Sequence, residues 1–589
     1  MLQFLKNVLA TIVGVLVSAF LLLVVGIGIV SVVLSSVVDK KKTPSKNMVL
    51  ELNLNYTIVE KADENPLEEW INKNSNTNIG LDKILNVIYN ASTDANVKGI
   101  LVKPGLFDAG FATIEEIREA LSFFKKQGKF VYAYGEILTE KNYYLASVCD
   151  SIFLNPSGEI VLDGLSSNIL LYKGLLDKVG VKMELFKVGT HKGAAEVYTQ
   201  DQLSEENKSQ IQRYLDVSFN QFCEDIAKNR AIHKDSLRSD IQAFLVQNPV
   251  SAVKKKLIDR LAYEDEVATI IKRKVGKKPE DKMCFTSFSD YYGMNSKDIG
   301  NFSSDNVIAF VYIAGEITNV SNNDNEAGCK SLLKSLRKAR FNKEVKALVV
   351  RINSPGGSAY GSDQIWREIM LIKQSKPVIV SMGDVAASGG YYIAAPADSI
   401  FASKYTLTGS IGVFALYPNM KELFNEHLGL KFETLKTGEY ADFGTLDKEL
   451  TFNQKQIIQK GVDRVYHNFT QVVENGRGLD SSHVESIAQG KVWIGPDAQK
   501  VNLIDGYASI RECVHIASYK AGLKKNDFRI KYLPEKDNSI NSLFQIKALL
   551  KEQFLKNEMG MFYSYYKAIS DLHKQAGVKA SLPYTLSLD

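Results

Sequence analysis

Ser388 stands in Ala386-Ala387-Ser388-Gly389-Gly390, a run of small residues that ends an apolar segment and opens a helical pattern. A hydroxyl flanked by alanine and glycine can be approached closely by another backbone and by a substrate, because no side-chain bulk shields it. At a helix start the first N–H groups lack intrahelical partners and carry the positive end of the dipole, which suits an oxyanion forming beside that hydroxyl. Gly389 supplies the amide after the serine. Gly356 or Gly357, in Asn353-Ser354-Pro355-Gly356-Gly357, is the candidate second donor. The chemistry expected is nucleophilic attack on a carbonyl. The same spacing also fits two tight strand-to-helix turns of an ordinary α/β domain.

A serine nucleophile needs a base, ordinarily histidine oriented by a carboxylate. The seven histidines are dispersed, and the one in a glycine-containing context is His191, beside Lys192. Lysine can serve when it is neutral, which requires burial away from carboxylates. Lowering a lysine from about 10.4 to near 7.5 costs roughly 4 kcal/mol, which a folded domain can absorb. Glu196, four residues on, would oppose the shift unless it points elsewhere. On spacing alone, a solvated surface lysine is the ordinary reading of Lys192.

Comparison of the chain with itself makes these positions stand out. Val97 to Lys103 matches Val345 to Arg351 at an offset of 248, and the same offset aligns Tyr143-Tyr144 with Tyr391-Tyr392 and Asp150 to Phe153 with Asp398 to Phe401. Leu257-Ile258-Asp259 echoes Leu503-Ile504-Asp505, so the chain is a tandem duplication with copies of about 230 residues, an ordinary domain size. The copies differ where chemistry is expected. Ser388 faces Glu140, the Gly356-Gly357 turn faces Gly105 to Ala109, and Thr190-His191-Lys192-Gly193-Ala194-Ala195 faces Glu439 to Phe443. One copy keeps a serine and the other a lysine.

The elements that must position them follow from periodicity. Short apolar strands such as Ala347 to Ile352 and Val378 to Met382 alternate with helical patterns such as Asp363 to Gln374, which predicts an α/β fold with crossover connections. A long helix is announced in each copy, by Ser204 and by the capping-box pattern Thr451-Phe452-Asn453-Gln454. Lys274 to Ser304 reads as a linker leading into the next sheet, and residues 538–574 have helical spacing with an apolar face that needs cover. Val8 to Val38 carries no charge, and its 31 residues would span about 46 Å as a helix, more than a bilayer core requires. We therefore expect a membrane anchor over residues 1–47, a first copy over 48–300 that supplies the lysine, and a second over 301–589 that supplies the serine. The charge bias taken literally, with Lys40, Lys41 and Lys42 after the apolar run, would keep the bulk of the chain in the cytoplasm.

Composition excludes other classes. A net charge of +5 over 589 residues, with no basic stripe, gives no footprint for nucleic acid. The five cysteines are scattered without a C-x-x-C pair, and no H-E-x-x-H occurs, so neither a disulfide framework nor a metal is indicated and no cofactor is expected.

The apolar amino-terminal run, the tandem repeat, Asn353 to Gly357, Met382 to Tyr392, Leu407-Thr408-Gly409-Ser410-Ile411-Gly412-Val413 and Thr190 to Ala194 together resemble the long form of the signal peptide peptidase A (protease IV) family. The resemblance covers nearly the whole chain. It implies a Clp/crotonase-like fold in both copies and a Ser-Lys dyad split between them, with Ser388 as nucleophile and Lys192 as general base. Ser410 matches a serine that hydrogen-bonds the lysine, and Gly356, Gly357 and Gly389 fall on the oxyanion donors. The resemblance also implies a homotetrameric bowl on the bacterial inner membrane, its catalytic domains outside the cytoplasm, acting on signal-peptide remnants. Two alternatives share parts of this pattern. A crotonase-type acyl-CoA enzyme would use the fold but not the anchor or the lysine, and an inactive scaffold binding apolar peptides would not need the dyad.

Overall fold

A computed structural model of the chain describes residues 46–62, 78–281, 285–295, 299–301, 303–319, 326–534 and 577–581, with positions 6, 14, 17, 18 and 21. The expected membrane span, apart from four of those positions, and the amphipathic stretch 538–574 lie outside the described residues. Among the described residues no helix is long and apolar enough to cross a membrane.

Each copy is built on a parallel sheet. In the first the strand order is Arg260–Leu261, Ser151–Ile160, Phe130–Leu138, Val97–Pro104, Met48–Leu54, Phe285–Ser287, and every neighbouring pair is parallel. In the second, Leu407–Gly409, Val378–Ala387, Val345–Ser354, Val307–Ala314 and Arg529–Leu533 run parallel, with Val492–Ile494 antiparallel beside the first of them. Parallel strands covered by helices on both faces are apolar throughout rather than alternating. The segment Val345–Ser354 shows this: Leu348, Val350 and Ile352 enter the core on one face, Ala347 and Val349 the core on the other. Part of the stretch read as a linker is instead structural, since Phe285–Ser287 pairs with Val49 to Glu51 and extends the first sheet. Three residues are too few to show a period.

The duplication is visible in hydrogen bonds as well as in sequence. Tyr143 Oη donates to Leu257 O at 2.9 Å and Tyr391 Oη to Leu503 O at 2.9 Å. The Asp259 carboxylate accepts from Ile152 N and meets Arg230, just as that of Asp505 accepts from Ile400 N and meets Arg477. The two long helices, Glu205–Arg230 and Phe452–Arg477, start at the caps expected, Ser204 and Thr451.

The copies are interlocked by two features. A third sheet runs Glu326–Gly328, Glu316–Thr318, Gly356–Ser358, Gly577–Ser581, Val413–Asn419, Lys182–Val188. In it the first-copy strand Lys182–Val188 pairs antiparallel along its whole length with second-copy residues Val413–Asn419, and Phe186 enters the second copy's core. Burial of a side chain that size contributes about 2–3 kcal/mol. The second feature is Arg351, 1% exposed, whose guanidinium meets Glu60 at 3.0 Å and Glu116 at 3.3 Å from the first copy, and Ser381 Oγ and Met382 O from its own. Glu60 also accepts from Asn353 Nδ2 at 2.9 Å, and Asp384 accepts from Thr113 N at 3.0 Å. The first copy thus holds the turn and strand that lead to Ser388.

Candidate active site

Ser388 is placed by the end of a strand. Val378–Ala387 runs through Ala386 and Ala387, because Val385, Ala386 and Ala387 pair with Leu407, Thr408 and Gly409. The chain then turns sharply. Ser388 takes φ 54° and ψ −114°, donates its N–H to Gly409 O at 2.8 Å and accepts at its carbonyl from Tyr392 N at 2.8 Å. A non-glycine residue in this region is strained by about 1–3 kcal/mol and persists when its surroundings over-determine it. Here they do: a paired strand on one side, and on the other the helix Gly389–Ala394, fully buried. The glycines allow the close packing, since a Cβ on Gly389 would lie 2.5 Å from Ser362 Oγ.

Lys192 arrives from the first copy, just beyond the strand that pairs with Val413–Asn419. Its Nζ is 2.8 Å from Ser388 Oγ, 2.9 Å from Ser410 Oγ and 3.1 Å from Ser410 O. Ser410 follows the strand next to that of Ser388, so two parallel strands end with their serines side by side. Lys192 is 1% exposed, and burial holds its amine well below the usual lysine range. The carboxylate that could have opposed this is turned away. Glu196 accepts from Ser204 N at 3.0 Å, Ser204 Oγ at 2.8 Å and Asn207 Nδ2 at 3.2 Å, at the start of the long helix. His191 contacts Thr190 Oγ1 at 3.0 Å; among the described residues, the side chain hydrogen-bonded to Ser388 Oγ is Lys192.

Gly356 and Gly357 have φ of 98° and 149°, which their lack of a Cβ permits. The N–H of Gly356 donates to Ser354 Oγ at 3.2 Å, so in this structure Gly356 contributes a bare Cα to the site. A Cβ on it would lie 2.7 Å from Gly389 N and 2.1 Å from the carbonyl oxygen of Ala580. The same oxygen lies 3.1 Å from where a Cβ on Gly389 would be.

Sequence reading missed several contributors. Gly490 packs on the lysine, a Cβ there lying 2.6 Å from Lys192 Cβ, and Gly412 closes on its Cδ. Ser354 orders the glycine turn by donating to Gly315 O at 2.6 Å while accepting from Gly356. The tail strand Gly577–Ser581 gave no signal, because five residues carry no readable period. In the first copy Glu140 begins the helix equivalent to Gly389–Ala394 and accepts from Asp163 N and Gly164 N, its carboxyl pushed up to about 7 by burial. That position holds no nucleophile.

Residues 123–278 and 371–524 each match the family model of peptidase family S49. Protease 4 of Haemophilus influenzae is 31% identical over 556 residues, 90% of this chain and 89% of its own length. The chloroplastic serine protease SPPA of Arabidopsis thaliana is 31% identical over 78% of this chain and 68% of its own. Protease 4 of Salmonella typhi is 33% identical over 75% and 72%. The two matched segments fall one in each copy, and each relative spans both, so the chain belongs to peptidase family S49 and is a serine peptidase with the family domain present twice.

Proposed function

We propose that Ser388 and Lys192 form a catalytic dyad in a membrane-anchored endopeptidase that degrades cleaved signal peptides and other unfolded apolar peptides. The observation that carries this is the 2.8 Å approach of Lys192 Nζ to Ser388 Oγ in a buried pocket from which Glu196 is turned away. A neutral amine has two N–H donors and one lone pair. Ser410 Oγ and Ser410 O accept the two donors, which leaves the lone pair for the Ser388 hydroxyl proton. Ser388 Oγ then attacks the peptide carbonyl, Lys192 passes the proton to the leaving amine, and water deacylates the enzyme. The oxyanion forms against the Gly389 amide, with the glycine turn packed beside it and the Gly356 N–H taken by Ser354. Strands Gly356–Ser358 and Val413–Asn419 hold one extended segment between them, here the chain's own Gly577–Ser581, and a groove of that shape favours unfolded substrates over folded ones.

The finer reading of the fold as Clp/crotonase-like, the anchoring through Val8 to Val38, the position outside the cytoplasm on the inner membrane and the homotetramer belong to the same proposal. Their support is the sequence resemblance and the length of the uncharged run. A serine-hydrolase activity probe tests the centre of it. Labelling of the wild type and none of Ser388→Ala is expected, together with loss of peptide hydrolysis; a Ser388→Ala chain that still hydrolyses an apolar peptide at the wild-type rate would refute the dyad.

A further inference from the structure

Lys192 sits in no strand and no α-helix; it is the residue before the short 3₁₀ turn Gly193–Ala195. A residue outside any ladder takes its position from the few bonds that its neighbours make. The Lys192 N–H reaches Gly189 O at 3.4 Å, a long contact. The backbone of His191 is held better. Its N–H donates to Gln489 O at 3.0 Å, and its carbonyl accepts from Gly193 N at 2.9 Å and from Gln210 Nε2 at 3.2 Å.

The same Gln210 amide makes a second bond, its Oε1 accepting from Val492 N at 2.7 Å. Val492 opens the edge strand Val492–Ile494 of the second sheet, two residues after Gly490, where a Cβ would lie 2.6 Å from Lys192 N. One planar group thus spans the lysine loop and the second-copy loop that closes on the lysine. A primary amide suits this place because it carries a donor and an acceptor side by side. Its partners settle which end is which, since a carbonyl demands the nitrogen and an N–H the oxygen.

The helix Glu205–Arg230 aims the amide. Gln210, Arg213 and Tyr214 stand at i, i+3 and i+4 on one face. All three cross to the second copy: Arg213 meets Asp497 through Nε at 2.9 Å and Nη2 at 3.0 Å, and Tyr214 packs beside Leu407 and Val492. Of these three contacts, that of Gln210 reaches the lysine loop.

We propose that Gln210 is a positioning residue for the peptidase reaction, holding Lys192 Nζ on Ser388 Oγ by bracing the His191 carbonyl against the second copy; this rests on the dyad reading above. Without the brace that carbonyl keeps the local bond from Gly193, and the peptide leading into Lys192 can pivot. Nζ then moves off its 2.8 Å contact and out of the enclosure that keeps it neutral. Inside the enclosure Nζ meets Ser388 and Ser410, and Glu196 is turned to the helix cap. Outside it, His191, Glu205, Glu206, Arg213, Lys491 and Asp497 line a cleft between the copies, and these are the charges a displaced amine would meet.

The test is steady-state kinetics of the full chain on an apolar fluorogenic peptide, with the pH profile of kcat/KM and a thermal melt, for the wild type, Gln210→Met, Gln210→Glu and Arg213→Met. Gln210→Met keeps the length of this half-buried side chain and removes both bonds. Gln210→Glu keeps the acceptor for Val492 and removes the donor to His191. Arg213→Met removes an inter-copy contact one turn away and leaves the lysine loop alone. Both Gln210 variants should lose kcat by on the order of 10-fold to 10²-fold with KM little changed. Their ascending limb should move up toward the ordinary lysine value, since a less enclosed amine holds its proton more firmly. Arg213→Met should keep the wild-type kcat and limb even where it melts lower. Gln210 variants with the wild-type kcat and limb would overturn the positioning role. An Arg213→Met chain shifted to the same extent would overturn it too, because the effect would then be a general loosening of the copies. In both cases a lowered limb in the wild type and inactivation by Ser388→Ala leave the dyad reading standing. A wild-type limb at the ordinary lysine value would refute the dyad, and the positioning role with it.

Discussion

Lys192 and Glu196 lie four residues apart on one buried segment, and their functional ends face opposite ways, Nζ to Ser388 at 2.8 Å and the carboxylate to Ser204 Oγ at 2.8 Å. A carboxylate facing Nζ would hold its proton; a carboxylate spent on the cap of the helix Glu205–Arg230 does not. The separation leaves burial as the cause of the lysine's lowered basicity.

This fixes the sign of the pH dependence. With Lys192 as the proposed base, activity needs the neutral amine, so kcat/KM should rise with pH through the lowered lysine value and reach its plateau well below the ordinary value of about 10.4. The folded chain binds fewer protons at this site than the unfolded chain between the two values, so the same residue makes stability rise with pH across that window. Lys192→Met should therefore lower activity by on the order of 10⁴-fold while raising the melting temperature at neutral pH. A pH–rate profile and a thermal melt check both; an ascending limb near pH ~10 would point to another base.

Gly490→Ala should lower activity although it replaces neither residue of the proposed dyad. The added methyl would meet Lys192 Cβ at 2.6 Å, and Gly490 has φ 78°, so the lysine backbone must shift. A displacement of about 1 Å at a reacting group costs on the order of 10²-fold in rate. The fall should appear in kcat, with KM for a short apolar peptide little changed, as steady-state kinetics will show.

Arg351→Met should weaken the union of the two copies. It leaves the buried Glu60 and Glu116 carboxyls without their cation, and breaking a buried pair in this way costs about 3–5 kcal/mol. Urea unfolding should show the loss. Because Glu60 also holds Asn353 at the start of the glycine turn, activity should fall before the fold does.

Separately expressed fragments, Met48 to Lys274 and Asp305 to Asp589, should each be inactive in a peptide-hydrolysis assay. The second lacks the lysine and the strand Lys182–Val188 that completes its sheet. Activity should return on mixing to the extent that the strand re-pairs, and activity in the isolated second fragment would exclude a dyad split between copies.

The sequence by itself picked out the residues proposed to carry the chemistry. Small residues around Ser388, its replacement by Glu140 in the other copy, and a lysine kept by one copy were all readable, because a duplication exposes the positions where the copies were not free to remain alike. Both long helices were readable from their caps, since capping is a local matter between residues three apart. Only the tertiary structure decided that Lys192 meets Ser388, which lies 196 residues away, because a seven-residue strand crossing between copies leaves no mark in local periodicity. It alone turned Glu196 aside, set Gly490 against the lysine and seated Ala580 beside Gly356. Each of these depends on which backbones approach within a few ångströms, a property of the assembled sheets that no short stretch of sequence contains.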